Sequence, residues 1–285
     1  MSPERMPPEA TAASDVTEQP YSSGDLRAVR LSEVEQAVYR FAETSTAKQN
    51  GHPGLATKVR AALDVIEEAI ARYGIEGLAL SFNGGKDCTV LLHLWTAAVV
   101  RFQRTAHAAP AVAEPPEGSG LELLQGARVP AIYVGAYDPF PEVNVFTEHC
   151  SRAFGVVLHH ENGPMRAGLE RFMAACPAVR AVLVGIRRTD PFAASLEAFQ
   201  ATDPGWPSFM RVHPILDWDY CDIWAYLHEF SVPYCSLYDQ GYTSLGGVHN
   251  TRPNPALCIA SDGGKSAYRP AWMLTDGSRE RDGRS

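Results

Sequence analysis

An α/β chain built on a doubly wound, mostly parallel sheet is predicted by three features of the sequence. Apolar runs of strand length alternate with helical-period stripes, mostly across short connections. One run, Val179 to Ile186, is almost continuously apolar, as a strand covered on both faces of a parallel sheet should be. The first run, Leu78 to Ser81, leads through Phe82 into Asn83-Gly84-Gly85-Lys86-Asp87, and a helical pattern starts there at once. Strand, glycine loop and helix in that order place backbone amides at the positive end of a helix dipole, a suitable seat for a phosphate chain.

The elements follow in order. Residues 1–24, rich in Pro, Glu, Ser, Thr and Ala, read as a disordered tail. Residues 25–56 read as a helical extension, with Leu31, Val34, Val38 and Phe41 on one face of a packing helix. From Thr57 to Tyr73 the stripe Val59, Ala62, Leu63, Ile66, Ala69, Ile70 predicts a second helix, ended by Gly74. After the glycine loop, Val90, Leu91, Leu94, Trp95, Ala98 and Val99 form a core-facing stripe. Residues 105–125, mostly Ala, Pro, Glu and Gly, read as a flexible insertion. Strands are expected at Val129–Val134, Val156–His159, Val179–Ile186 and Phe209–Leu216, and helices at Glu142–Phe154, Met165–Cys176 and Asp219–Phe230. Turns and short segments complete the chain. In such a sheet the carboxyl ends of the strands share one edge, where ligands bind. Gly185-Ile186-Arg187-Arg188-Thr189-Asp190-Pro191, after the fourth strand, is therefore expected beside the glycine loop.

Composition narrows the classes. The chain has 285 residues, 45% of them hydrophobic, enough for a real core. No apolar run approaches the ~18–20 residues of a membrane span, and no signal peptide is evident, so no membrane partner is expected and a cytoplasmic location is. The net charge of −8, without basic runs, argues against a nucleic-acid partner. Six scattered cysteines form no C-x-x-C pair, which disfavours zinc and dithiol chemistry and suits reduced thiols. The nine histidines show no metal spacing.

The glycine loop is not a Walker A motif, because Leu80 stands where that pattern needs glycine, and Gly264-Lys265-Ser266 fails likewise at Ile259. No G-x-G-x-x-G fingerprint is present. Lys86 is placed to meet phosphate oxygens, and Asp87 either to hold magnesium or to cap the helix. Asp190 is a second magnesium candidate, although a surface salt-bridge cluster would also explain the arginines around it. Trp206, in Thr202-Asp203-Pro204-Gly205-Trp206-Pro207, either covers the core or stacks on a flat ligand, and Arg211 is suited to grip a phosphate. By composition, Asp276 to Ser285 reads as a solvated, disordered end.

Ser81 to Cys88 resembles the PP-loop of the PAPS-reductase-like ATP pyrophosphatases, and most closely that of eukaryotic, fungal-type FAD synthases (FMN adenylyltransferases). The resemblance continues through 185–191, 202–207, Arg211 to Leu216, Trp224, Gly241 to Gly246, Asn254 to Leu257, Ala271 to Leu274 and Glu280 to Arg284. It implies a PP-loop nucleotidyltransferase domain over 57–255 and a C-terminal extension, 256–285, closing on a flavin site. It implies transfer of AMP from ATP to FMN with magnesium, by a monomer whose partners are these small molecules. Ser81, Asn83, Gly84, Gly85, Lys86, Asp87 and Arg187 would bind ATP. Asp190, Asp203, Trp206, Arg211, Arg281 and Arg284 would bind FMN. Asn83, Asp87, Asp190, Arg281 and Arg284 would serve the chemistry, with Asp87 and Asp190 on the metal. The resemblance thus reverses the composition-based expectation for the tail. A PAPS or APS reductase would need an activated cysteine near the C-terminus, and nothing around Cys258 marks it as one. A tRNA-modifying PP-loop enzyme fits poorly with the acidic charge, and a non-catalytic nucleotide or flavin sensor fits poorly with the retention of both Asp87 and Asp190.

Overall fold

The computed structural model describes residues 30–43, 52, 54–107, 129–134, 138–161, 163–262 and 265–285. The expectations for residues 1–24 and for 108–125 lie outside the described residues. In chain order the elements are α1 (Leu31–Glu43), α2 (Leu55–Tyr73), β1 (Leu78–Ser81), α3 (Lys86–His107), β2 (Pro130–Val134), α4 (Pro141–Phe154), β3 (Val157–Glu161), α5 (Met165–Ala175), β4 (Ala181–Leu183), β5 (Phe199–Ala201), β6 (Met210–Val212), α6 (Tyr220–Glu229), β7 (Cys258–Asp262) and β8 (Lys265–Tyr268). Thr105 to His107, expected in the insertion, instead form the last turn of α3.

Six strands make one sheet in the order β3-β2-β1-β4-β6-β5. All neighbours run parallel except β5, which pairs antiparallel with β6 at the edge. The strand order turns at β1 and β4, whose carboxyl ends form the switch-point crevice. Strand alternation sorts the two faces. Leu78, Leu80, Ala131, Ala181, Leu183 and Val212 pack with α1, α2, α3, α4 and α6 in the main core. Ala79, Ile132 and Val182 face the other way, against Phe172 of α5 with Val179 and Phe209.

Local chemistry accounts for the boundaries. α2 ends at Gly74 (φ +67°), whose N–H donates to the Ile70 carbonyl. α4 begins with Pro141 at its first position and ends at Gly155 in the left-handed region (φ +66°). α6 carries a capping box, the Asp219 carboxylate accepting from the Asp222 N–H at 2.9 Å and the reverse bond closing at 2.7 Å.

Three elements depart from expectation. β4 is three residues long rather than the whole of 179–186: the Val184 N–H still donates to the Val212 carbonyl at 2.8 Å, but the Ile186 N–H turns back to the Val184 carbonyl at 3.0 Å and Ile186 joins a separate small cluster with Ala193, Leu196 and Leu216. The edge strand β5 and the hairpin β7–β8 lack a strong apolar run and were not expected. The tail from Asp276 to Ser285, solvated by composition, folds back on the body: Arg252 N–H donates to the Gly283 carbonyl at 2.9 Å and Ser285 N–H to that of Asn250 at 3.1 Å. No helix among the described residues is long and apolar enough to cross a membrane.

Candidate active site

The site grows from the turn between β1 and α3. The Asn83 Oδ1 accepts the Gly85 N–H at 3.1 Å and the Cys88 thiol at 3.1 Å, closing an Asx turn that starts the helix. Gly84 sits at φ +75°, and a Cβ there would lie 2.8 Å from Thr147 Cγ2 of α4. Backbone conformation and space both demand glycine at this position. Ser81 closes β1, in register with Ile132. The Lys86 N–H, one of the helix's unpaired amides, donates to the Tyr238 hydroxyl at 2.8 Å. Burial drives the Cys88 thiol up to about 12, so this loop cysteine is no nucleophile.

The loop after β4 arrives as topology requires. A Cβ on Gly185 would stand 2.9 Å from the Cys88 backbone nitrogen and 3.0 Å from the Asp87 carbonyl carbon. Only glycine lets the two backbones meet so closely. Two residues on, Arg187 is 1% exposed. Its Nε lies 2.8 Å from Asp87 Oδ1, and its Nη2 lies 3.3 Å from Asp190 Oδ1 and 2.7 Å from Glu280 Oε2. Its backbone N–H donates to Asp190 Oδ2 at 2.9 Å.

Lys86, also 1% exposed, has its ammonium 3.0 Å from Asp87 Oδ2, in contact with Glu280 Oε1 and 5.1 Å from the centre of the Tyr220 ring. Its cation is therefore turned onto protein carboxylates and an aromatic face, whereas the sequence placed it towards phosphate oxygens. Asp87 lies within the first turn of α3 and not at its cap, so the capping alternative is set aside.

Two buried cations thus face three carboxylates. Burial opposes ionisation of Asp87, but the pull of Lys86 and Arg187 outweighs it and holds the carboxyl below its usual range. At Asp190 burial dominates and raises the pKa, with Arg187 opposing. Burial would also lower Arg187, and Asp87, Glu280 and Asp190 more than reverse it, so the guanidinium stays charged.

Some of this polar capacity is unspent. Among the described residues Arg187 Nε and Nη1 and Asp87 Oδ1 are buried and make no hydrogen bond. The Arg187–Asp87 contact is accordingly an ion pair without a directed bond. The Arg187 Nη1, without a hydrogen bond, suits a phosphate oxygen, and the Asp87 Oδ1, ion-paired with Nε but not hydrogen-bonded, keeps lone pairs for a hard cation. Magnesium takes one or two protein carboxylates and completes its shell with phosphate and water oxygens. Asp87 and Asp190 fit that donor set, and the described residues hold no group of three metal ligands that would favour another ion.

The remaining expected residues lie elsewhere on the fold. Arg211, on β6, is in register with Val182 and shares its α5-facing side. Its Nη2 donates to the Ala201 carbonyl at 3.0 Å and lies 3.6 Å from Asp203 Oδ1, while its buried Nε has no hydrogen bond among the described residues. Trp206, 42% exposed at the tip of the β5–β6 hairpin, does not cover the core. Its neighbour Gly205 approaches Arg166 in the first turn of α5. No hydrogen bond or ion pair among the described residues joins Asp203 and Arg211 to the Lys86–Asp87–Arg187 cluster.

In the tail, the Arg284 Nη1 donates to the Leu245 carbonyl at 2.7 Å, and Arg281 is exposed. Asn254, fully buried, donates from Nδ2 to Thr243 Oγ1 at 2.9 Å and to the Arg279 carbonyl at 2.8 Å. Thr243 in turn donates to the Glu280 carbonyl at 2.6 Å.

Sequence reasoning missed Glu280 and Tyr238. The pattern Glu280 to Arg284 carried the family resemblance, yet local composition gave no sign that its carboxylate meets Lys86 and Arg187. Tyr238 lies in a short 3₁₀ turn with no periodic signal.

Comparison with known proteins bears on this geometry. The family model for the phosphoadenosine phosphosulfate reductase domain matches residues 163–253. A probable FAD synthase of Schizosaccharomyces pombe is 40% identical over 242 residues, 85% of this chain and 84% of that protein. A probable FAD synthase of Caenorhabditis elegans is 38% identical over 229 residues, 80% of this chain but 40% of the nematode protein's length. A yeast FAD synthetase solved in complex with FAD superposes with a TM-score of 0.71 at 25% identity, over 90% of this chain and 98% of that one. Identity at the first of these levels, sustained along most of both chains, reflects common descent and not only a shared sheet, and the chain belongs to the FAD synthase family.

Proposed function

We propose that this protein transfers AMP from ATP to the phosphate of FMN, releasing FAD and pyrophosphate. One observation carries the placement of the nucleotide: the buried guanidinium of Arg187, whose Nη1 makes no hydrogen bond among the described residues, beside the glycine loop at the β1/β4 switch point. The ATP phosphates lie along the start of α3 in this reading, where amides and dipole favour anions.

The FMN phosphate, with a second pKa near ~6, is largely a dianion at pH 7 and needs no general base. A phosphate oxygen of FMN attacks the α-phosphorus in line. The new O–P bond forms as the bond to the bridging oxygen breaks, and pyrophosphate leaves into the glycine loop. Positioning and charge neutralisation supply the catalysis. Arg187 meets the phosphates through Nη1, its nitrogen without a hydrogen bond among the described residues. Lys86 acts from behind, holding Asp87 in place. Asp87 and Asp190 would hold a magnesium ion, which would neutralise charge on the phosphate oxygens. Trp206 and Arg211, with Asp203 steadying the arginine, take the flavin end, and Arg281 and Arg284 take its phosphate. Residues 256–285 form the extension that closes this acceptor side.

The test is incubation of the folded protein with ATP, magnesium and FMN, followed by chromatography for FAD. Product that depends on all three supports the reading. No FAD from protein with a native unfolding transition would refute it.

A further inference from the structure

Among the described residues, Glu280 is the acidic side chain of the C-terminal tail that reaches both buried cations of the nucleotide side. Its carboxylate contacts Lys86 Nζ and lies 2.7 Å from Arg187 Nη2, while both cationic side chains are only 2% exposed. The next residue is Arg281, and Arg284 follows three positions later. The tail has attachments besides this carboxylate. The tail backbone is already held by Arg252 N–H to the Gly283 carbonyl, Ser285 N–H to the Asn250 carbonyl, and Asn254 to the Arg279 carbonyl. Asp87 and Asp190 already provide Lys86 and Arg187 with counter-charges. A third carboxylate in so enclosed a place carries a desolvation cost that a tail packed by apolar contacts would avoid. What it adds is a rigid, charge-assisted link between two parts of the chain 93 residues or more apart.

We infer that Glu280 is a positioning residue that couples the nucleotide and flavin halves of the site, so that nucleotide held against Arg187 orders the tail arginines for the acceptor phosphate. The inference rests on the function proposed above. Its route is short. Phosphate on Arg187 Nη1 fixes the guanidinium, Nη2 fixes the Glu280 carboxylate, and the Thr243 bond to the Glu280 carbonyl carries that order into the turn bearing Arg281. A coupling of this kind is reciprocal, so either ligand must strengthen the other by the same factor.

Calorimetric titration of FMN into the full chain, with and without a non-hydrolysable α,β-methylene analogue of ATP and magnesium, measures that factor without turnover. The wild type is expected to bind FMN at least fivefold more tightly with the analogue present. Glu280→Gln keeps the shape and removes the charge, and should bring the factor to within twofold of one while FMN affinity without nucleotide changes less than threefold. Thr243→Val, which cuts the link together with the Asn254 bond to the same hydroxyl but alters no charge, should do the same, while Thr243→Ser, which keeps both bonds, should retain the wild-type factor. A purely structural role would lower the unfolding midpoint and weaken both ligands while leaving their ratio intact, and that result would overturn the inference. So would a wild-type factor of one, or a factor below one, which would mean that phosphate displaces Glu280. If the wild type forms FAD yet Glu280→Gln and Thr243→Val both keep the ratio, only the coupling role fails. If it neither forms FAD nor binds FMN, the functional reading fails with it.

Discussion

Replacing Arg187 by lysine separates the charge of the site's central cation from its shape. The side chain is 2% exposed and presents two nitrogens to three carboxylates: Nε at 2.8 Å from Asp87, and Nη2 at 2.7 Å from Glu280 and 3.3 Å from Asp190. Lysine keeps the positive charge, but a single ammonium on a shorter reach cannot occupy both positions. Of the two directed bonds, to Glu280 and Asp190, one is expected to survive. A charge-assisted bond contributes about 1.5–3 kcal/mol, so Arg187→Lys should lose about 2 kcal/mol of stability. Removing the charge altogether, in Arg187→Met, leaves Asp87 and Glu280 with Lys86 alone and takes from Asp190 its cation, and should cost about 3–5 kcal/mol, the range for breaking a buried pair. Misplacing Asp87 and Glu280 should also slow FAD formation about 100-fold in the lysine variant at saturating ATP, magnesium and FMN. Urea unfolding and a chromatographic rate assay measure the two effects. A lysine variant within about 0.5 kcal/mol of wild type and with an unchanged rate would refute the view that guanidinium geometry organises the site, since surface pairs behave that way.

Other expectations are independent of that one. His93 is buried against Tyr226, its Nδ1 2.8 Å from the hydroxyl, and burial lowers its pKa to about 3. The unfolded chain takes up this proton near pH ~6.5, so between the two values it binds more protons than the native state and stability is lost as the pH is lowered. The loss approaches about 1.4 kcal/mol per pH unit, and His93→Gln should flatten the urea-measured stability between pH 6 and 5. Asn254→Ala removes two side-chain donors' bonds and the acceptor for Ala256 N–H from a fully buried position. It should destabilise by about 3 kcal/mol in urea and open the tail to limited proteolysis. Gly84→Ala must adopt φ +75° with its Cβ 2.8 Å from Thr147 Cγ2, so a loss of about 2–4 kcal/mol and weaker binding of the ATP analogue by calorimetry are expected. Phe192, fully exposed at φ +64°, carries backbone strain with no buried contact to offset it, and Phe192→Asn should stabilise by about 1 kcal/mol in the same denaturation assay.

Read alone, the sequence determined the sheet, its helices and the edge on which the chemistry sits. The stripe of α2, the apolar run at β4 and the Asn83–Asp87 turn are local patterns, set by side-chain periodicity and by glycine's freedom of φ, and local patterns survive in a linear string. Parallel connectivity then brings Asp87 and Arg187 to one edge, where they meet at 2.8 Å. Tertiary structure decided what those charges face. Lys86 has the same sequence signature whether its ammonium points at phosphate or, as here, at Asp87 and Glu280 under Tyr220. Glu280 lies in a stretch whose composition reads as solvated, because composition records how polar a segment is and not whether its charges find partners. It is largely enclosed because Lys86, at the start of α3, and Arg187, in the loop after β4, take its carboxylate. The edge strand β5 and the hairpin β7–β8 escaped for a related reason: their strand state comes from neighbours far along the chain rather than from their own pattern of residues.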